Sequence, residues 1–99
     1  MNRRFVIEDA FHSEFIGEFD SRAEAIAELR RLSKLPWDEN PNQAPCTSWR
    51  NCGREYQLIE FDTADYPWKE IDRQLAFDVS SEGVKWTGSL QALAGPEAL

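Results

Sequence analysis

The sequence predicts an α+β domain, an antiparallel β-sheet with one α-helix packed on one face, in the order β-β-α-long loop-β-β-β. Three observations carry that prediction. Short runs of alternating apolar and polar residues recur near both ends of the chain. One stretch, Ser21 to Lys34, has helical spacing instead. Between the helix and the third strand, residues 36–54 hold no sustained period of either kind.

The elements follow in order. Arg4–Ala10 alternates, with Phe5 and Ile7 on one face and Val6 and Glu8 on the other, as a strand requires. His12–Ser13–Glu14 is polar and fits a turn. Phe15–Phe19 alternates again, so the pair reads as a β-hairpin. Ser21 and Glu24 then make the S-x-x-E pattern of a capped helix start, and Ala25, Ile26, Leu29 and Leu32 form one apolar stripe. Pro36 cannot continue the helix, which should stop near Lys34.

Residues 36–54 contain Pro36, Pro41, Pro45 and Gly53, and such long connections are usually functional or self-packed. Tyr56–Asp62 reads as the third strand. Asp65–Tyr66–Pro67 is a turn signal, and residues 66–73 fit either a helical turn or a strand. Leu75, Phe77 and Val79 alternate as the fourth strand. Gly83 supplies the positive φ of the next turn, and Val84–Trp86 returns as the fifth. The domain therefore spans 1–86, with a C-terminal tail at 87–99 that either forms a brief helix at Leu90–Leu93 or frays.

One helix shields one sheet face. The expected second face carries Val6, Ile16, Leu58 and Trp68, and its cover is expected from the long loop or from a second copy of the chain as a homodimer.

Composition limits the function classes. The net charge is −7, from 18 acidic and 11 basic residues. That disfavours a nucleic-acid partner, which needs a basic face. No stretch approaches the roughly 20 apolar residues of a membrane span, and the N-terminus has no secretory core. The expected setting is cytoplasmic, where two cysteines are thiols before they are a bridge.

The stretch "PCTSWRNCGREY", Pro45–Tyr56, concentrates the unusual chemistry. Cys46 and Cys52 do not match the phosphatase pattern C-x5-R, because the residue six after Cys46 is Cys52 and the residue six after Cys52 is Leu58. Zinc ligands usually come as closely spaced pairs; here a set of Cys46, Cys52, His12 and one carboxylate would be needed. A thiol pair is the third option, with Arg50 and Arg54 favouring thiolate. The expectation is that both cysteines are buried anchors, with no metal and no cofactor. His12 is the single histidine and sits in a turn, where histidines are usually solvated, so it gives little support for a catalytic set and no enzyme is expected. Trp37, Trp49, Arg50 and Arg54 are residue types enriched at binding hot spots and form the expected interaction patch.

The stretches "FIGEFDSRAEAIAEL", "PNQAPCTSWRNCGREYQLIEFD" and "PWKE…EGVKW" resemble small uncharacterised bacterial proteins of about this length. The resemblance implies a bacterial or phage-like origin and carries no activity or site residue. The leading expectation is a non-catalytic protein-interaction module (regulator, adaptor or inhibitor) whose protein partner the residues do not specify. The alternative is a small-ligand, metal or thiol site centred on Cys46 and Cys52.

Overall fold

A computed structural model of the chain describes residues 2–88 and residue 90. The elements are β1 (Arg3–Asp9), β2 (Glu14–Phe19), α1 (Arg22–Ser33), a 3-10 turn (Trp49–Asn51), β3 (Arg54–Asp62), β4 (Lys69–Ser80) and β5 (Gly83–Trp86). All five strands join one antiparallel sheet in the order β2-β1-β3-β4-β5, and α1 packs on it. The helix and the loop after it carry the chain from edge strand β2 to the far side of β1. That crossover lays β3 beside β1.

The expected order β-β-α-long loop-β-β-β is corrected at the loop. Residues 36–54 are not featureless, because Asn51 N donates to Ser48 O at 2.9 Å and Cys52 N to Trp49 O at 3.2 Å, closing a 3-10 turn. This turn folds Cys52 back toward Cys46. Residues 66–73 are strand from Lys69 onward, so β4 runs through Ser80 as a 12-residue ladder partner of β3. Of the brief helix expected at Leu90–Leu93, only Leu90 lies among the described residues; it is buried in the helix-side core.

Helix α1 starts where its cap predicts. The Ser21 hydroxyl accepts from Glu24 N at 3.1 Å, and the Glu24 carboxylate meets that hydroxyl at 3.3 Å. Ala25, Leu29 and Leu32 are fully buried against Phe5, Ile7, Tyr56, Leu58, Phe77 and Val79. The pairings Ile7↔Leu58 and Asp9↔Tyr56↔Phe77 place these side chains in rows on one face. Tyr56 and Phe77 meet edge to face at 5.0 Å, and Phe77 continues to Trp86 at 4.9 Å.

The second face is not roofed as expected. Leu58 shares a row with Ile7 under the helix, and Ile16, at the bulge opposite Ile7/Glu8, packs against the same core. The long loop also packs on the helix side. Long charged side chains stand opposite Val6 and Ile59 in the register. Arg73 sits beside Ile59 and reaches Glu8 at 2.7 Å, Gln57 at 2.8 Å and Glu70 at 2.8 Å. Arg4 pairs with Glu18 at 2.6 Å and with Asp20. Such side chains lay their methylenes over apolar surface and keep their heads in water. Ile59 is consequently only 2% exposed. Trp68, also expected on this face, remains 39% exposed.

Candidate functional site

The end of the sheet where β1 exits and β3 enters carries the chemistry. Asp9, the last residue of β1, is fully buried and accepts four hydrogen bonds. Its Oδ1 accepts from Phe11 N at 3.0 Å and Glu55 N at 3.1 Å; its Oδ2 accepts from Arg54 at 2.9 Å and lies 2.6 Å from His12 Nδ1. The Phe11 bond is an Asx turn, which explains why the chain reverses here. A buried carboxylate is tolerated because its lone pairs are filled and one partner is cationic.

Arg54 completes this anchor. It is 4% exposed, pairs with Glu14 at 2.6 Å, and sends Nε and a terminal nitrogen to Gln43 O at 3.1 and 2.9 Å. The guanidinium thus ties β1, β2, β3 and the long loop together. It is not on the expected interaction patch, because all its donors face inward.

The loop has a second anchor. Asn42 is 1% exposed and donates to Leu32 O, in the last turn of α1, at 2.8 Å and to Leu35 O, just past the helix, at 3.1 Å. The Tyr56 hydroxyl donates to Asn42 Oδ1 at 2.8 Å. Burial, more than any charge nearby, holds the Tyr56 phenol far above the ordinary tyrosine range. A phenol that resists ionising in the folded chain contributes stability that is present at neutral pH and falls as pH rises beyond about 10, where the unfolded chain ionises. Tyr56→Phe should remove that alkaline component. It should also lower the urea unfolding free energy at neutral pH by about 1–3 kcal/mol, since Asn42 Oδ1 loses its buried donor. An unchanged midpoint would show that the bond contributes nothing.

With the loop held at both ends, Cys46, Cys52 and His12 meet. Their ligand-type atoms all lie within 4.8 Å of one another, and each residue is half-buried. Cys52 Sγ is 3.4 Å from His12 Nε2. Cys46 and Cys52 are joined as a disulfide, with Cα atoms 7.0 Å apart. Asp9 engages His12 Nδ1, so Nε2 is the nitrogen turned to the sulfurs. Gly53 lets Cys52 approach the sheet, because a Cβ there would lie 2.7 Å from Val79 O. An open cleft of about 370 Å³ adjoins the cluster, lined by Phe11, Asn51, Cys52, Gly53, Asp78 and Ser80 among others. Burial raises the Asp78 carboxyl, against the opposing pull of Lys85.

Comparison with protein-family models, with curated proteins and with solved structures returns no match for this chain.

Three residues expected in the interaction patch do come together beside the cluster. Trp37 and Trp49 have ring centroids 5.5 Å apart, and the exposed Arg50 lies 4.7 Å over the Trp49 ring. Both indoles are half-buried, and Trp37 also packs on the core. Asp9, Asn42 and Glu14 were not singled out by the sequence, although they hold the site. The S/T/D-type turn residue two before Phe11 is the one local signal that could have pointed to Asp9.

Proposed function

We propose that the chain is a metal-binding domain in which the Cys46 and Cys52 thiolates and His12 Nε2 hold one zinc ion. The observation that carries this reading is an imidazole, aimed by Asp9, that lies within 4.8 Å of both sulfurs of the Cys46–Cys52 pair. A carboxylate on the far nitrogen of a ligating histidine sets its tautomer and raises its basicity, the usual outer-shell support of zinc histidines. The spacing also suits the ion. Around a tetrahedral zinc, a histidine nitrogen at about 2.0 Å and a thiolate at about 2.3 Å stand about 3.5 Å apart. The His12–Cys52 separation is 3.4 Å. The cysteine Cα separation of 7.0 Å lies just beyond the usual disulfide range of about 4.4–6.8 Å, so the backbone also has room for two separate thiolates.

Two thiolates neutralise the ion, and soft sulfur with borderline nitrogen selects zinc over magnesium or calcium. Three protein donors leave the fourth tetrahedral position to water. The reduced chain should therefore carry one zinc by native mass spectrometry, and cobalt(II) should give thiolate-to-metal absorption. His12→Ala and the pair Cys46→Ser with Cys52→Ser should each lose both signals. A reduced, folded chain that takes up neither metal defeats the reading.

The interaction-module reading stands second, on the Arg50–Trp49 stack. A planar cation lying on an indole at the surface is a preformed recognition element. Its test is Arg50→Ala, which should abolish capture of the protein partner and leave far-UV circular dichroism unchanged.

A further inference from the structure

We infer that the same pair is a site of peroxide modification: a hydroperoxide oxidises Cys52 and then closes the Cys46–Cys52 disulfide, which ejects the metal. This rests on the metal reading above. Two observations carry it. The first is that the pair is bonded in the fold while its supports are all made. With the disulfide in place, Asp9 holds His12, Arg54 holds Asp9 and Gln43, and Asn42 holds the end of α1.

The second observation is access. Cys52 lines the open cleft, and Cys46 does not. A cleft of about 370 Å³ has ample room for a small hydroperoxide, since one water occupies about 30 Å³ of liquid. Cys52 is therefore the sulfur that meets the oxidant, and Cys46 the one that resolves it.

The chemistry balances. The Cys52 thiolate attacks the terminal oxygen of the hydroperoxide, the O–O bond breaks, and the leaving alkoxide takes a proton from water to become an alcohol. Cys52 is then a sulfenic acid. The Cys46 thiolate attacks the Cys52 sulfur, the S–S bond forms, and hydroxide leaves and is protonated to water. The two sulfurs lose two electrons in all, and the peroxide gains them. Of three ligands only His12 survives, and one imidazole does not retain zinc against solvent. The metal departs with the positive charge that the thiolates had balanced.

The test uses the full reduced chain loaded with zinc, titrated with hydrogen peroxide beside a chromogenic zinc chelator. The expected result is one zinc released for each disulfide formed, read by intact mass, with rebinding after reduction. In Cys46→Ser the sulfenic acid should persist at Cys52 and be trapped by dimedone; in Cys52→Ser trapping should be lost. Zinc that stays bound while a free cysteine peptide in the same tube is oxidised overturns the inference and leaves the metal reading standing. Absence of dimedone adduct at Cys52 in a folded Cys46→Ser chain overturns the assignment of the attacked sulfur. A reduced chain that never takes up zinc overturns both.

Discussion

Arg54→Met lowers the unfolding free energy by about 3–5 kcal/mol, the usual cost of removing one partner from a buried ion pair. The expectation follows from what the guanidinium leaves behind. Asp9 has no access to water, and Arg54 is its cationic partner at 2.9 Å. Methionine fills much of the volume but donates nothing, so the buried Asp9 carboxylate loses its arginine partner. Gln43 O loses two donors at the same time. For a domain whose total stability is about 5–15 kcal/mol, that loss is a large share. Urea unfolding followed by tryptophan fluorescence measures it. The contrast is Arg73→Ala, which also breaks several ion pairs. The Arg73 side chain is 37% exposed, its partners are at the surface, and such pairs are worth at most about 1 kcal/mol. Equal losses for the two variants would show that the buried Arg54–Asp9 pair contributes no more than the surface contacts of Arg73.

On the proposed zinc reading, the melting temperature of the reduced chain should rise by roughly 10–20 °C when free zinc is about 100-fold above the dissociation constant. The size comes from linkage: at that excess a ligand specific to the folded state contributes about 2.7 kcal/mol, and about 1 kcal/mol moves a domain of this size by about 4–8 °C. The ligands converge only in the folded chain, because His12 lies on the β1–β2 turn and the cysteines lie in the loop after α1. A chelator should reverse the shift, and the double Cys46→Ser, Cys52→Ser chain should show none. A melting temperature indifferent to zinc in the reduced wild type would remove the metal from the account of this fold.

Much of the architecture was legible in local pattern. The capped helix, the alternation at Phe5–Ile7 and Leu75–Val79, and the turn at Gly83 (φ 101°) are set by neighbours within a few residues. The faces of the sheet were harder. Ile16 sits at a bulge that alternation does not reveal, and Leu58 takes its face from its register with Ile7. Arg54 looked like a surface residue because its buried partner, Asp9, is far from it in the chain.

The sequence by itself determined the helix, the first hairpin and the third strand, and that the cysteines lie in an anchored connection, but it left residues 66–73 open and did not show the 3-10 turn at Trp49–Asn51. Only the tertiary structure decided that His12 belongs with Cys46 and Cys52. A C-x5-C pair and a distant turn histidine carry no spacing that marks a ligand set. Their meeting is settled by the pairing of β1 with β3 and by the buried contact of Asp9 with Arg54, which lay the turn against the loop. Secondary structure follows the period of nearby side chains, whereas a ligand cluster follows contacts that the chain makes only after it has folded.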